Sequence, residues 1–102
     1  MTGYVQKEGK RFEVLRINSY ERRECRKRTV VSVKVAVAEH PVPKHVRLHV
    51  KFKDGSEEVA RAHLVTVYSH YAYYYLDAAY ARKIAPLVNK IQEVKIYEEE
   101  VQ

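Results

Sequence analysis

Val31, Val33, Val35 and Val37 recur at alternate positions in TVVSVKVAVAEH, opposite Val30, Ser32, Lys34, Ala36 and Ala38. A period of two sends each set to its own side of an extended chain, so this segment predicts a strand with one strongly apolar face. Before it, Phe12 to Ile17 in RFEVLRI reads as a shorter strand, and Asn18 and Ser19 supply turn formers. After it, Pro41 and Pro43 lack amide donors and restrict the residues before them, which makes PVP a rigid connector. The alternation resumes with Val46, Leu48, Val50 and Phe52 set between Arg47, His49, Lys51 and Lys53. Asp54-Gly55 then signals a hairpin, with SEEVARAHLVTVY returning as a strand. Ser56 followed by Glu57 and Glu58 also suits the start of a short helix, so the two readings compete there.

From about His70 the pattern changes. HYAYYYLDAAYARKIAPLVNKI is rich in alanine and spaces its apolar residues at helical intervals, predicting a helix over residues 70–91. Tyr73, Leu76, Tyr80, Ile84, Leu87 and Ile91 would form its core face, with Tyr71, Tyr74, Tyr75, Ala78 and Arg82 opposite. Pro86 either kinks the helix or opens a second one from its first turn. EVKIY at residues 93–97 reads as a last short strand before an acidic tail. The fold class that follows is α+β: a mostly antiparallel sheet from two hairpin-like units, a long or kinked helix packed on one face, and a C-terminal strand. The units, at about 12–38 and 46–68, align weakly at an offset of 34–35 residues, as duplication or as chance likeness between β-rich segments.

Length and composition bound this picture without altering it. A chain of 102 residues, 46% hydrophobic and 31% charged, suits one compact domain. The polar start and the lack of a long apolar run predict no signal peptide, no membrane span and a cytoplasmic location. The single cysteine, Cys25, cannot form an internal disulfide; its RRECRKR context favours a lowered thiol pKa, and a half-buried strand position is the plainer expectation.

Charge is concentrated early. Residues 7–28 hold nine lysines and arginines against four glutamates, so +5 of the chain's +6 lies there. Arg22, Arg23, Arg26, Lys27 and Arg28 are the candidate phosphate contacts if the ligand is nucleic acid. Six of the nine tyrosines fall between residues 68 and 80. They cannot all enter one core, and Tyr71, Tyr74, Tyr75 and Arg82 form the candidate protein-contact set, for a partner, a peptide or a second copy of the chain. The five histidines show no metal-ligand spacing, and no nucleophile motif or phosphate-cradling glycine loop is present. No cofactor is implied. The functional expectation is a non-enzymatic protein-interaction module using a tyrosine-rich helix face, a groove or a sheet edge; the alternative is nucleic-acid binding through the basic first hairpin.

Few glycines, no tryptophan and dense lysine, arginine and glutamate suit a hot environment. With the many tyrosines and the short length, the chain resembles in general character the small uncharacterised proteins of filamentous viruses that infect hyperthermophilic archaea. That resemblance spans the whole chain without a diagnostic motif. It implies a host-cytoplasmic or virion setting and no inherited activity.

Overall fold

The computed structural model describes residues 3–7, 10–23, 26–38 and 40–99, with side chains from Glu13 onward within those ranges. The expectation for Cys25 lies outside them. Seven strands, β1 (Gly3–Lys7), β2 (Lys10–Arg23), β3 (Lys27–Val37), β4 (His45–Phe52), β5 (Glu57–Val67), β6 (Tyr71–Leu76) and β7 (Ile91–Glu98), form one sheet in the order β1-β2-β3-β6-β5-β4-β7. Every pairing is antiparallel. The sheet curls until edge strand β1 lies beside edge strand β7. Helix α1 (Ala78–Ile84) continues as a 3-10 turn, Ala85–Lys90, and this thirteen-residue unit packs on the concave side, α1 against β3 and β6 and the 3-10 turn against β2 and β3. The α+β class and the largely antiparallel sheet expected from the pattern are therefore present.

The filling of the curl explains the alternation. Val31, Val33 and Val35 are fully buried, as are Leu48 and Ala60, while Val46, Ala62, Val94 and Ile96 complete the same apolar layer. Ala81 and Ile84 of α1 enter it from the helix side, with Leu87 and Val88 packed at its margin. Small residues at positions 60, 62, 72 and 81 leave room for the helix to approach the sheet.

Between β3 and β4 the chain passes the ends of β6 and β5 before pairing. The connector holding Pro41 and Pro43 makes that crossing. It is tied down at three points: His40 Nε2 meets the Ser69 carbonyl at 3.0 Å, the Tyr74 hydroxyl donates to the Pro43 carbonyl at 2.6 Å, and the Leu64 amide donates to the Lys44 carbonyl at 2.8 Å.

At Asp54-Gly55 the hairpin reading holds and the helical alternative does not. Gly55 adopts φ 91°, the Asp54 carboxylate accepts from the Ser56 amide at 2.8 Å, and β5 runs from Glu57. Those contacts also hold the Asp54 carboxyl below its usual range, the Ser56 hydroxyl contributing most.

Three boundaries differ from expectation. Asn18 and Ser19 stay in β2, opposite Ser32 and Val31, so the first hairpin turns beyond Arg23 instead. Strand β1 precedes the first expected strand. The helix begins at Ala78 and not near His70, because Tyr71–Leu76 forms β6 between β3 and β5. Tyrosine favours extended backbone, and Ala72, Tyr74 and Leu76 alternate with Tyr71, Tyr73 and Tyr75; five residues of that pattern fit a helical face equally well on paper. Two open strands waiting for a neighbour decide the matter. Pro86 then sits in the first turn of the 3-10 segment, as the restart reading anticipates.

Leu48 lies at the middle of the β5-β4-β7 trio, fully buried, whereas Val59 on the outer side of β5 is 45% exposed. Leu48→Ala is expected to cost about 2–5 kcal/mol and Val59→Ala within about 0.5 kcal/mol, read from urea unfolding midpoints.

Candidate functional site

Strand β6 sends three tyrosines outward. Tyr71, Tyr73 and Tyr75 are half-buried on the convex face, while Ala72, Tyr74 and Leu76 face the core. Register places Tyr71 across from Ala36, Tyr73 between Lys34 and Thr66, and Tyr75 between Ser32 and His63. Tyr68, 48% exposed, joins from the turn before β6, its amide donating to the Tyr71 carbonyl at 2.8 Å.

These rings pack on one another. Tyr68 and Tyr71 are 4.9 Å apart between centroids, and Tyr73 stands edge-on to both, at 6.1 and 5.8 Å. The Lys34 ammonium lies 4.5 Å above the Tyr71 centroid and 6.0 Å from that of Tyr73, so the quadrupoles of both rings hold a cation over the cluster. Val65, extruded by a bulge in β5, remains 44% exposed beside it. The result is a patch of aromatic and aliphatic surface fringed by phenol hydroxyls.

Toward the other end of β6 the surface changes. Tyr20 on β2 donates to the Tyr75 hydroxyl at 2.8 Å, with the rings edge-on at 6.5 Å. His63 stands edge-on to Tyr75 and holds Asp77 Oδ1 at 2.9 Å through Nδ1. Val30 pairs with Tyr20 across the strands, on the outer register, yet is buried. It belongs to the wall of a groove of about 480 Å³ that runs between the end of the first hairpin and the start of α1. Arg26, Lys27 and Arg28 line one side and Arg82 the other, with His63 and Tyr75 between them.

The candidate residues thus regroup. Tyr71 and Tyr75 are on the outer face as expected, though on a sheet instead of a helix. Tyr74 is 1% exposed, and its phenol, whose pKa burial raises well above the ordinary range, is committed to the Pro43 carbonyl; it cannot contact a partner. Arg82 leaves the tyrosines and joins Arg26, Lys27 and Arg28. Arg22 and Arg23 pair with Arg28 and Lys27 across the hairpin. Tyr20, Tyr68, Tyr73, Lys34 and His63 were not singled out by the helical reading. A period of two applied to residues 71–76 would have found Tyr73.

Among the described residues no three histidine, cysteine or carboxylate side chains gather as metal ligands, and no helix is long and apolar enough to cross a membrane. The surface offers aromatic faces, hydroxyls and fixed positive charge, which is the equipment of binding.

Desolvation beside Tyr75, then the hydrogen bond between the two hydroxyls, pushes the Tyr20 pKa up to about 12. An unfolded tyrosine ionises near about 10, so the folded chain keeps this proton longer. The linked stability is complete below about pH 10 and is lost as the pH climbs toward the folded value. Phenolate absorbance should show Tyr20 titrating later than the ordinary tyrosines, and Tyr75→Phe should bring it earlier by deleting its acceptor. An unchanged titration would separate Tyr20 from Tyr75.

Comparison with known proteins adds no assignment: no family model matches the chain, and no curated protein or solved structure does so either.

Proposed function

We propose that this chain is a non-enzymatic protein-contact module, and that its docking face is the patch of Tyr68, Tyr71 and Tyr73 with Val65 at its rim. The observation that carries the reading is the self-supported ring cluster on the open side of the sheet. Tyrosines held by a sheet and by each other lose little side-chain entropy on binding, and they offer a large apolar area with a hydrogen-bonding tip. Exposed Val65 beside them extends the apolar contact and favours a protein or peptide over a polyanion here.

A sheet edge is the weaker route to a partner. The curl brings β1 and β7 together, so the edges face each other more than they face solvent. The tyrosine patch has no such cover among the described residues.

A photo-crosslinking amino acid at Val65, in the cell that makes the protein, tests the reading against the same probe at Gln92 on the exposed side of β7. Discrete protein adducts are expected at Val65 alone, and Tyr68→Ala combined with Tyr73→Ala should remove most of them. Adducts migrating as twice the chain would identify a second copy as the partner. Equal labelling at both positions, or adducts indifferent to the tyrosine changes, would overturn the proposal.

A further inference from the structure

We propose that the groove between the first hairpin and α1 binds the phosphodiester backbone of single-stranded nucleic acid, with Arg26, Lys27, Arg28 and Arg82 on phosphates and Tyr75 beneath a base. This site shares no residue with the protein-contact patch and stands or falls separately. Tyr75 and Tyr73 are two residues apart on one strand, so the two surfaces adjoin, about 7 Å apart along β6.

Three features of the groove converge. The first is charge: four cations from two separate elements face one space, and among the described residues no carboxylate lines it. Of the described acids near it, Glu21 is engaged with Lys27 at 3.1 Å and Asp77 with His63 at 2.9 Å. Three of the four cations are arginines, whose planar forks match phosphate oxygens two at a time.

The second is the ladder of the first hairpin. Arg22 lies directly across from Arg28, and Arg23 across from Lys27. Like charges placed opposite each other on adjacent strands destabilise the pairing, and hairpins ordinarily avoid them. The ladder therefore concentrates four cations at the hairpin end beside the groove, with Lys27 offset by Glu21 at 3.1 Å, and departures from such local rules gather at functional sites.

The third is shape and chemistry together. A volume of about 480 Å³ is within the range of small-ligand clefts and accommodates a nucleotide. Tyr75 is fixed by the Tyr20 hydroxyl and the His63 ring, so it presents a ring already held in place. A base of any identity can stack on it, which suits recognition of a single strand without sequence preference. An acidic peptide would use the cations and leave the aromatic wall idle.

The test is fluorescence anisotropy with a labelled oligothymidylate of about twelve nucleotides, its RNA counterpart, and labelled polyglutamate, each at about 50 and 200 mM salt. Roughly three or four phosphate contacts predict a slope of log affinity on log salt of about −2 to −3. Arg26→Gln, Arg28→Gln and Arg82→Gln together should weaken oligonucleotide binding by at least about tenfold, which is about 1.4 kcal/mol. Lys51→Gln, Lys53→Gln and Lys95→Gln, the same change of charge on β4, its following turn and β7, should weaken it far less. All substituted side chains are exposed, and single Arg82→Glu provides an independent variant in which charge reversal alone should reproduce the loss. No oligonucleotide binding at the lower salt, equal losses from the two triple variants, or polyglutamate binding as tightly as either oligonucleotide would each overturn the proposal.

Discussion

Everything outside the core depends on how the concave side of the sheet is filled. A seven-stranded antiparallel sheet has one apolar face to hide, and here it curls around a short helix. The valine ladder of β3 and the aliphatic positions of β4 and β7 meet Ala81 and Ile84 inside that curl. Burial at roughly 25 cal/mol per Å² supplies the driving force, and its direction is set by the period of two: inward valines dictate which side chains are left outside. Shifting β6 by one residue would bury Tyr71, Tyr73 and Tyr75 and expose Tyr74. The outward tyrosine face is therefore a by-product of register.

Much of this was legible in the chain. Alternation in β3, β4 and β5 was strong because one face is buried and the other is charged, and Asp54-Gly55 marked its hairpin through the one positive-φ glycine that the turn needs. Residues 70–76 were not legible in the same way. With half-buried tyrosines outside and alanine, tyrosine and leucine inside, both faces are aromatic or apolar, and the contrast that separates a two-residue period from a helical one disappears. What makes this stretch a strand is long-range: β3 and β5 each lack a second neighbour until it arrives.

The candidate site was legible by residue type and not by placement. Tyrosine enrichment and the basic hairpin were both evident in sequence, but Arg82 was grouped with tyrosines because a helix from His70 would have put it there. Once the helix starts at Ala78, Arg82 faces the arginines of residues 26 and 28 across a groove. Tyr74 was lost to the core for the same reason. The two surfaces at opposite ends of β6 also divide the chemistry cleanly, aliphatic and aromatic near Tyr68, cationic and aromatic near Tyr75.

The conformation of residues 71–76 is the hinge of this account, and backbone chemical shifts with amide and Hα nuclear Overhauser contacts measure it directly. Extended-type shifts through the segment, with cross-strand contacts from Tyr73 to Lys34 and from Tyr75 to Ser32 and His63, are the result the structure predicts. Helical shifts and sequential amide contacts running back from Ala78 to His70 would contradict it, returning Tyr74 to the surface and dissolving both the tyrosine patch and the groove.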